Sequence, residues 1–424
     1  MTSVPIPPTL LPDTSEILEN DVLVGGVSLM SVAREFGTPV FVYDEMTLIH
    51  RCKEAIASFD EGVAFASKSF LCGAMAKLAV AQGMNIDVAS DGELDLVLRA
   101  GIEAKRVVLH GNNKSISEIS RAIELGVHRL VVDSFDEIEK LRSLLTDGKK
   151  ISCLVRVTPG IEAHTHQFVM TGQEDSKFGF SIASGDARRA IELLRENSGI
   201  EVRGVHAHIG SQIFETVGFE EELRVLIDFT REDSFREICI GGGLGVAYVE
   251  GETAPSIAQW GDAVRQVARK LGLNSNVLLT AEPGRSIVAQ AGVTLYEVGV
   301  IKKLPMRTYV AVNGGMSDNP RPVLYGSGYE AFDVSRPNAK RERAVRIVGK
   351  HCESGDVLVD EAWLPNETGV GDVIATPVTG AYGYSMASNY NRVPRPAVVF
   401  VKDGKARLVL RRETLDDLAR LEVE

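Results

Sequence analysis

Cysteine is scarce in this chain, and what there is of it is scattered. The five cysteines among 424 residues form no Cys-x-x-Cys pair; they are Cys52, Cys72, Cys153, Cys239 and Cys352. An odd number of isolated cysteines argues against a disulfide framework or a structural zinc site, and it favours a reducing cytoplasm. The chain also lacks any run of about 18 apolar residues, so we expect no membrane span.

Positive charge is the second shortage. Lys and Arg number 46 against 58 Asp and Glu, which gives a net charge of −12. Without surplus basic residues to neutralise phosphates, the chain is not expected to bind nucleic acid. The first twenty residues contain three acidic side chains, several prolines and no basic residue. This composition predicts a flexible lead-in over residues 1–20 and not a secretion signal.

The length suffices for a barrel of about 250 residues and a second domain. Over residues 39–290, short apolar runs alternate with amphipathic, helix-like segments. Eight such runs start near Val63, Ile86, Val107, Leu130, Leu154, Val205, Ile238 and Leu278. Eight strand–helix units predict an α/β fold with a (β/α)₈ TIM-type barrel over residues 39–290, rather than an open doubly wound sheet.

The pattern changes after residue 290. Residues 291–424 contain short valine-rich runs separated by turns such as Asp403-Gly404. This pattern predicts a C-terminal antiparallel β-sandwich domain. An apolar segment at residues 22–32 could join that sheet, so the predicted domain is discontinuous and comprises residues 21–38 and 291–424.

Several reactive side chains stand where predicted strands end, and strand ends line one mouth of a barrel. Lys68 ends the first strand, where partial burial could lower its pKa and leave the amine neutral, as Schiff-base formation requires. A solvated surface lysine is the commoner alternative, and Lys177, in a predicted loop, is the rival nucleophile. In the second domain, Cys352 is flanked by polar residues and glycine, so it is predicted to be an exposed thiol that can donate a proton.

Two turns suggest binding of a charged ligand. The glycines of Gly241-Gly242-Gly243-Leu244-Gly245 follow a strand and could direct backbone N–H groups at a phosphate, although a plain tight turn would look the same. Their spacing is not Gly-x-Gly-x-x-Gly, which argues against a dinucleotide site. In Glu282-Pro283-Gly284-Arg285, Glu282 could keep a heterocycle nitrogen protonated while Arg285 binds an anion; an exposed ion pair is the alternative.

The segment His206-Ala207-His208 places two rings on one face of a strand. Such a pair can bind a metal, as in a metal-dependent barrel hydrolase, but that site needs further ligands at other strand ends. His110 is the one other histidine at a predicted strand end, and His164 and His166 fall in a predicted loop. A neutral imidazole stacked on a flat cofactor therefore fits better than a metal site.

A series of motifs in a fixed order carries a resemblance to a known family. They are Phe65-Ala66-Ser67-Lys68, His110-Gly111-Asn112-Asn113-Lys114, His206-Ala207-His208-Ile209-Gly210-Ser211-Gln212, the triple glycine, Glu282-Pro283-Gly284-Arg285, Arg321-Pro322-Val323-Leu324-Tyr325-Gly326, Cys352-Glu353-Ser354-Gly355-Asp356 and Gly380-Ala381-Tyr382-Gly383-Tyr384-Ser385-Met386. With them the chain resembles the diaminopimelate decarboxylases, enzymes with an alanine-racemase-like barrel.

The resemblance implies pyridoxal 5'-phosphate as cofactor, no metal, and a homodimer with active sites shared across the interface. Lys68 would bind the cofactor as a Schiff base, His208 would stack on its ring, and Glu282 would pair with the pyridine nitrogen. The cofactor phosphate would be held by Ser211, Gly242, Gly243, Gly284, Arg285 and Tyr382.

The resemblance also implies roles around the substrate. Its distal carboxylate would be held by Arg285, Arg321 and Tyr325, with Tyr382 nearby, and its distal ammonium by Glu353. Cys352 would be the proton donor, and both Cys352 of the partner subunit and Glu353 of the partner subunit would reach into the site. A substrate with a second amino-acid head needs both charges.

The predicted reaction is decarboxylation of meso-2,6-diaminopimelate to L-lysine and carbon dioxide, the last step of lysine biosynthesis, in the cytoplasm. Three alternatives remain. A decarboxylase of ornithine, arginine or carboxynorspermidine would share the fold. A metal-dependent barrel hydrolase would contain zinc instead of the cofactor, and a non-catalytic relative would be expected to lose Lys68 or Cys352.

Overall fold

A computed structural model of the chain describes residues 6–145, 148–161 and 176–423. The chain divides into two compact units. The sheet unit comprises Met1–His50, Ala247–Thr253 and Ile287–Glu424, and the barrel unit comprises Arg51–Val246 and Ala254–Ser286. Within the described ranges, no helix combines the length and the apolar character needed to cross a membrane.

The sheet unit begins with β1 (Glu16–Ile17), β2 (Val22–Val24), β3 (Val27–Ser28), α1 (Leu29–Phe36) and β4 (Val40–Asp44). Strands β1, β2 and β3 form a three-stranded antiparallel sheet of their own. Residues 22–32 therefore do not join the large sheet, contrary to the expectation. Strand β4 joins that sheet instead. Residues 39–50 accordingly belong to the sheet unit and not, as predicted, to the barrel. Every residue of β4 is buried, so it lacks the alternation that marks a half-exposed strand.

Residues 6–20 differ from the flexible lead-in that the sequence predicted for residues 1–20. Ile6, Leu10 and Leu11 are at most 3% exposed, and Ile6 and Leu11 pack into the core of the sheet unit. The Gln290 side-chain amide also donates hydrogen bonds to the backbone carbonyls of Thr9 and Leu11. The few apolar side chains in this polar segment are enough to hold it in place.

The barrel unit contains a parallel sheet whose strands follow one another in chain order. They are β5 (Ala64–Ala66), β6 (Asn85–Val88), β7 (Val107–Leu109), β8 (Arg129–Val132), β9 (Ile151–Thr158), β10 (Phe180–Ser181), β11 (Ile200–His206), β12 (Glu237–Cys239) and β13 (Leu278–Thr280). Short β10 pairs with β9 beside the main path. The sheet closes where Ala64 donates to the carbonyl of Ala281 (3.0 Å) and Ala66 donates to that of Pro283 (3.1 Å). The predicted barrel is confirmed, although β9 and β11 begin earlier than expected.

Helices follow the strands on the outside of a barrel. They are α3 (Gly73–Ala81), α4 (Asp91–Arg99), α5 (Ile116–Leu125), α6 (Phe135–Leu144), α7 (Asp186–Arg195), α8 (Val217–Thr230) and α9 (Ile257–Lys270). Helices α2 (Glu45–Ser58) and α10 (Arg285–Val288) each contain residues of both units. Apolar side chains of five barrel strands form one buried cluster, which consists of Ala64, Val108, Val131, Leu154 and Cys239.

A buried ion pair links the loop after β7 to helix α6. The Lys114 ammonium lies 2.9 Å from a carboxylate oxygen of Glu137, and both side chains are at most 3% exposed. Lys114 also donates to the backbone carbonyls of Gly111 and Val131. Lys114 therefore satisfies one carbonyl in the loop after β7 and one in β8, and it fixes the start of the loop that carries His110.

The rest of the sheet unit contains β14 (Gly292–Lys303), β15 (Thr308–Val312), α11 (Arg321–Tyr325), β16 (Phe332–Asp333), β17 (Arg343–Val348), β18 (Val357–Leu364), β19 (Val373–Pro377), β20 (Ala397–Lys402), β21 (Lys405–Leu410) and α12 (Leu415–Ala419). The large sheet runs β18-β17-β15-β14-β4-β20-β21, with β19 paired to β14 and β16. The second domain is confirmed as mainly antiparallel. Two parallel pairs, β15 with β17 and β4 with β20, make it a mixed sheet.

Candidate active site

Charged and histidine side chains collect at the carboxyl ends of the barrel strands. Asp87 lies in β6, Arg156 in β9 and His206 at the end of β11, while His110 directly follows β7 and Glu282 lies two residues after the end of β13. Parallel barrel strands bring these ends to one face. We call these five residues, with Lys68 and His208, the barrel-mouth cluster. No role was predicted for Asp87 or Arg156, and His110 and His206 were considered only as metal ligands.

Glu282 is held between two histidines. Its Oε1 lies 2.9 Å from Nε2 of His110, and its Oε2 lies 2.9 Å from Nε2 of His206. The two imidazole rings are 4.9 Å apart between centroids, and Nε2 of His110 is also 3.8 Å from a carboxylate oxygen of Asp87. The carboxylate at the end of the barrel is thus fixed by partners on both sides.

Burial and mutual attraction set the protonation states of these groups. Burial alone would raise the pKa of Glu282, but His110 and His206 hold it well below its usual range. Burial favours the neutral form of His110, yet the Asp87 and Glu282 carboxylates outweigh it and raise the pKa of His110. Burial lowers the pKa of His206 to about 4. The arrangement therefore favours an ionised Glu282, a charged His110 and a neutral His206.

The same trio, His110, His206 and Glu282, consists of side chains that could bind a metal ion, with ligand atoms within 4.8 Å of one another. A metal would need the lone pairs of both Nε2 atoms. In the hydrogen-bonded arrangement those atoms carry the hydrogens donated to the carboxylate. The loop histidines His164 and His166 lie outside the described residues.

Lys68 follows β5 in a short 3₁₀ turn, Ser67–Ser69. Its side chain is exposed, and not partly buried as the sequence analysis expected. Burial lowers the pKa of His208 and the Lys68 charge lowers it further, whereas burial raises the pKa of Asp87 to about 6 against the opposing effect of Lys68. Gly284 packs against this strand, since a Cβ there would lie 2.9 Å from the carbonyl oxygen of Ala66. The rival lysine, Lys177, is exposed with its amine over the ring of Phe178.

The triple glycine permits a close approach of neighbouring strand ends. A Cβ at Gly242 or Gly243 would lie 2.3 Å from a backbone carbonyl oxygen of an adjacent strand end, which no other residue could accommodate. The N–H of Gly242 donates to Nδ1 of His208 at 3.1 Å. Burial holds the pKa of His208 well below its usual range, which favours the neutral ring. Nearby, Arg285 donates to the hydroxyl of Ser211 at 2.8 Å.

In the sheet unit, Arg321 lies in a cage of tyrosines. Its guanidinium carbon is 4.1 Å from the ring centre of Tyr248, and its Nη1 donates to the hydroxyl of Tyr329 at 2.5 Å. The two rings are 5.2 Å apart and nearly perpendicular. Arg321 is 4% exposed, and its contacts among the described residues are with tyrosines and not with a carboxylate. A buried cation without an anion is a site for one.

Cys352 and Glu353 are both exposed, and Cys352 is the one exposed cysteine of the five. A network behind them fixes their turn. Asp356 accepts hydrogen bonds from the backbone N–H of His351 (2.9 Å) and of Met316 (2.6 Å). The two remaining predicted residues, Tyr325 and Tyr382, are partly buried.

The likeness to known proteins extends over most of the chain. Residues 46–289 match the family described as pyridoxal-dependent decarboxylase, pyridoxal binding domain. The curated diaminopimelate decarboxylase of Mycobacterium tuberculosis (strain ATCC 25618 / H37Rv) is 43% identical over 95% of both chains. That of Bacillus subtilis (strain 168) is 44% identical over 94% of both. The solved structure of diaminopimelate decarboxylase from M. jannaschii in complex with L-lysine matches with a TM-score of 0.89 at 32% identity, covering 97% of this chain and 98% of that one.

The fold, the barrel-mouth cluster and these matches define a pyridoxal-dependent decarboxylase, which is a carbon–carbon lyase with pyridoxal 5'-phosphate as its cofactor. Within that class, the chain belongs to the diaminopimelate decarboxylase family. The resemblance that the sequence motifs indicated is therefore confirmed.

Proposed function

We propose that the chain converts meso-2,6-diaminopimelate into L-lysine and carbon dioxide, the last step of lysine biosynthesis. The observation that carries the substrate class is Arg321, a buried guanidinium whose described partners are tyrosines and not a carboxylate. An amino acid with a second carboxylate supplies the missing anion, whereas ornithine and arginine do not. The names of the similar curated proteins support the same substrate.

The donor set at the barrel mouth fits the cofactor. An amine is available for its aldehyde in Lys68, an ionised carboxylate for its ring nitrogen in Glu282, and a neutral imidazole for its ring face in His208. The groups that would hold its phosphate are Ser211, Gly242, Gly243, Gly284, Arg285 and Tyr382. When bound, the cofactor supplies an electron sink for the negative charge that loss of carbon dioxide leaves on the α-carbon.

The chain's own residues supply charge, orientation and a proton. Glu282, kept ionised by two histidines, can hold a proton on a ring nitrogen. Arg321 and Glu353 would grip the far end of the substrate, together with Arg285, Tyr325 and Tyr382, and so choose which bond stands perpendicular to the ring and breaks. The exposed thiol of Cys352 would then protonate the α-carbon.

We propose a cytoplasmic homodimer whose active sites are completed by Cys352 of the partner subunit and Glu353 of the partner subunit. The exposure of both side chains on a turn fixed by Asp356 supports this arrangement. The test mixes two inactive variants, Lys68→Ala and Cys352→Ala, after reversible dissociation. Shared sites should restore roughly a quarter of the wild-type activity, since random pairing gives half heterodimers with one intact site each. No recovery in verified heterodimers would contradict shared sites.

A substrate panel tests the reaction itself. The purified holoenzyme is given meso-diaminopimelate, lysine, ornithine, arginine and carboxynorspermidine, and carbon dioxide and amine products are measured. We expect lysine from diaminopimelate and a much smaller kcat/KM for the others. A larger kcat/KM for ornithine, arginine or carboxynorspermidine would assign the chain to that substrate instead. Release of carbon dioxide from none of them by the cofactor-loaded protein would indicate a non-catalytic relative.

A further inference from the structure

The buried position of Glu282 disfavours its ionised form. Glu282 is 7% exposed, and a buried carboxylate without compensation tends to take up a proton and become neutral. A neutral carboxylic acid could not keep a ring nitrogen protonated. The hydrogen bonds from His110 and His206, each 2.9 Å long, meet this need from both sides.

The two histidines do not have equivalent surroundings. His110 lies between two carboxylates, at 2.9 Å from Glu282 and 3.8 Å from Asp87. His206 has Glu282 as its partner, and its other ring nitrogen, Nδ1, is buried without a hydrogen-bond partner among the described residues. An imidazole between two acids gains from carrying a proton, whereas one that faces a single shared acid gains less.

The other charged groups around the trio reinforce the difference. Burial lowers the pKa of His206, and the charges of His110 and Arg156 lower it further. Burial and Arg156 also oppose a charge on His110, but the Asp87 and Glu282 carboxylates outweigh them. Burial raises the pKa of Asp87 to about 6, and the charges of His110 and Lys68 oppose that rise. One positive charge placed between Asp87 and Glu282 is thus favoured, and a second one on the adjacent ring is not.

We propose that His110 and His206 are positioning residues that act on Glu282 by different means. His110 is a charged partner backed by Asp87, and His206 is a neutral hydrogen-bond donor. Together they keep Glu282 ionised and aimed at the ring nitrogen of the cofactor. This inference deepens the proposed function, since it rests on the pairing of Glu282 with that nitrogen.

A matched pair of substitutions separates the two roles. Glutamine keeps an N–H donor but carries no charge, so His206→Gln should retain function where His110→Gln should not. In the purified holoenzyme we expect His206→Gln to leave the cofactor Kd and the pH dependence of its visible absorption within about twofold of wild type. His110→Gln and Asp87→Asn should each weaken cofactor binding by about tenfold or more and shift that pH profile, as loss of a charge-assisted interaction predicts.

Thermal unfolding of each variant tests whether it is folded. If His110→Gln does not fold, ¹⁵N NMR of histidine-labelled wild-type holoenzyme decides the matter. The His110 ring should remain charged and the His206 ring neutral across about pH 6 to 8. Equal effects of the two glutamine variants, a larger effect of His206→Gln, or a neutral His110 ring would each overturn the inference. If wild type still releases lysine from diaminopimelate, the proposed function survives that failure.

Discussion

The tyrosine cage around Arg321 makes a quantitative prediction about substrate binding. Tyr329→Phe removes the hydroxyl that accepts a hydrogen bond from Nη1, and Tyr248→Leu removes the ring whose centre lies 4.1 Å from the guanidinium carbon. Neither change alters the charge of Arg321. Each leaves the guanidinium less firmly held where the proposed function places the distal carboxylate of the substrate.

The magnitudes follow from the two kinds of contact. A hydrogen bond involving a charged group contributes about 1.5–3 kcal/mol, and a desolvated cation–π contact about 2 kcal/mol. Since about 1.4 kcal/mol corresponds to a factor of ten, each variant should lose about tenfold or more in kcat/KM for diaminopimelate. Arg321→Ala, which removes the charge as well, should cost about 2 kcal/mol or more. Most of each loss should appear in KM, because these groups are proposed to hold the unreactive end of the substrate.

The assay is steady-state lysine release by the holoenzyme, with Tyr309→Phe on β15 as a control for loss of a tyrosine hydroxyl outside the cage. The control should match wild type. An unchanged kcat/KM in Tyr329→Phe and Tyr248→Leu would refute the positioning argument. An unchanged value in Arg321→Ala would refute the role of Arg321 itself.

Three further predictions concern stability and the proton donor. Glu222 on α8 is fully buried, neither carboxylate oxygen has a hydrogen-bond partner in the described parts of the chain, and burial raises its pKa well above its usual value. As pH rises above about 4.5, the unfolded chain loses this proton before the folded chain does, so the group lowers the free energy of unfolding. In urea unfolding, Glu222→Gln should therefore raise the free energy of unfolding by up to about 3 kcal/mol at pH 7 and leave it unchanged below pH 4. A gain independent of pH would contradict this. Lys114→Met should lower the free energy of unfolding by about 3–5 kcal/mol, because it leaves the buried carboxylate of Glu137 without its cation. The double variant Lys114→Met with Glu137→Met should recover much of that loss, and an equal loss in the single and the double variant would argue against the ion pair. Cys352→Ala should lower kcat by about 10²–10⁴-fold with little change in cofactor binding, and an unchanged kcat would remove the thiol from the mechanism.

The barrel was predictable because its signal is local. Each strand is a short apolar run followed by a helix pattern, and the eight runs could be counted along the sequence. Strand β4 escaped detection as part of the second sheet for the same reason, since a fully buried strand has no alternation to tell one sheet from another. Its partners β14 and β20 lie far along the chain and leave no trace near residue 40.

The site was predictable to the extent that strand ends mark it. Lys68, Glu282 and the Ser211–Arg285 pair stand where strands stop, and the structure brings Ser211 and Arg285 within hydrogen-bonding distance. The link between His110 and Glu282 was not predictable, because 172 residues separate them and only closure of the barrel makes them neighbours. Asp87 could have been noticed as a charged residue within an apolar strand, and Arg156 offers the same signal.

The most direct test of the account is the identity of the lysine that binds the cofactor. The holoenzyme is reduced with borohydride, digested and mapped by mass spectrometry, with the Lys68→Ala variant treated in parallel. We expect the pyridoxyl mass on the peptide containing Lys68 in wild type and on no lysine peptide in the variant. A label on Lys177 or any other lysine, or its persistence in Lys68→Ala, would contradict it.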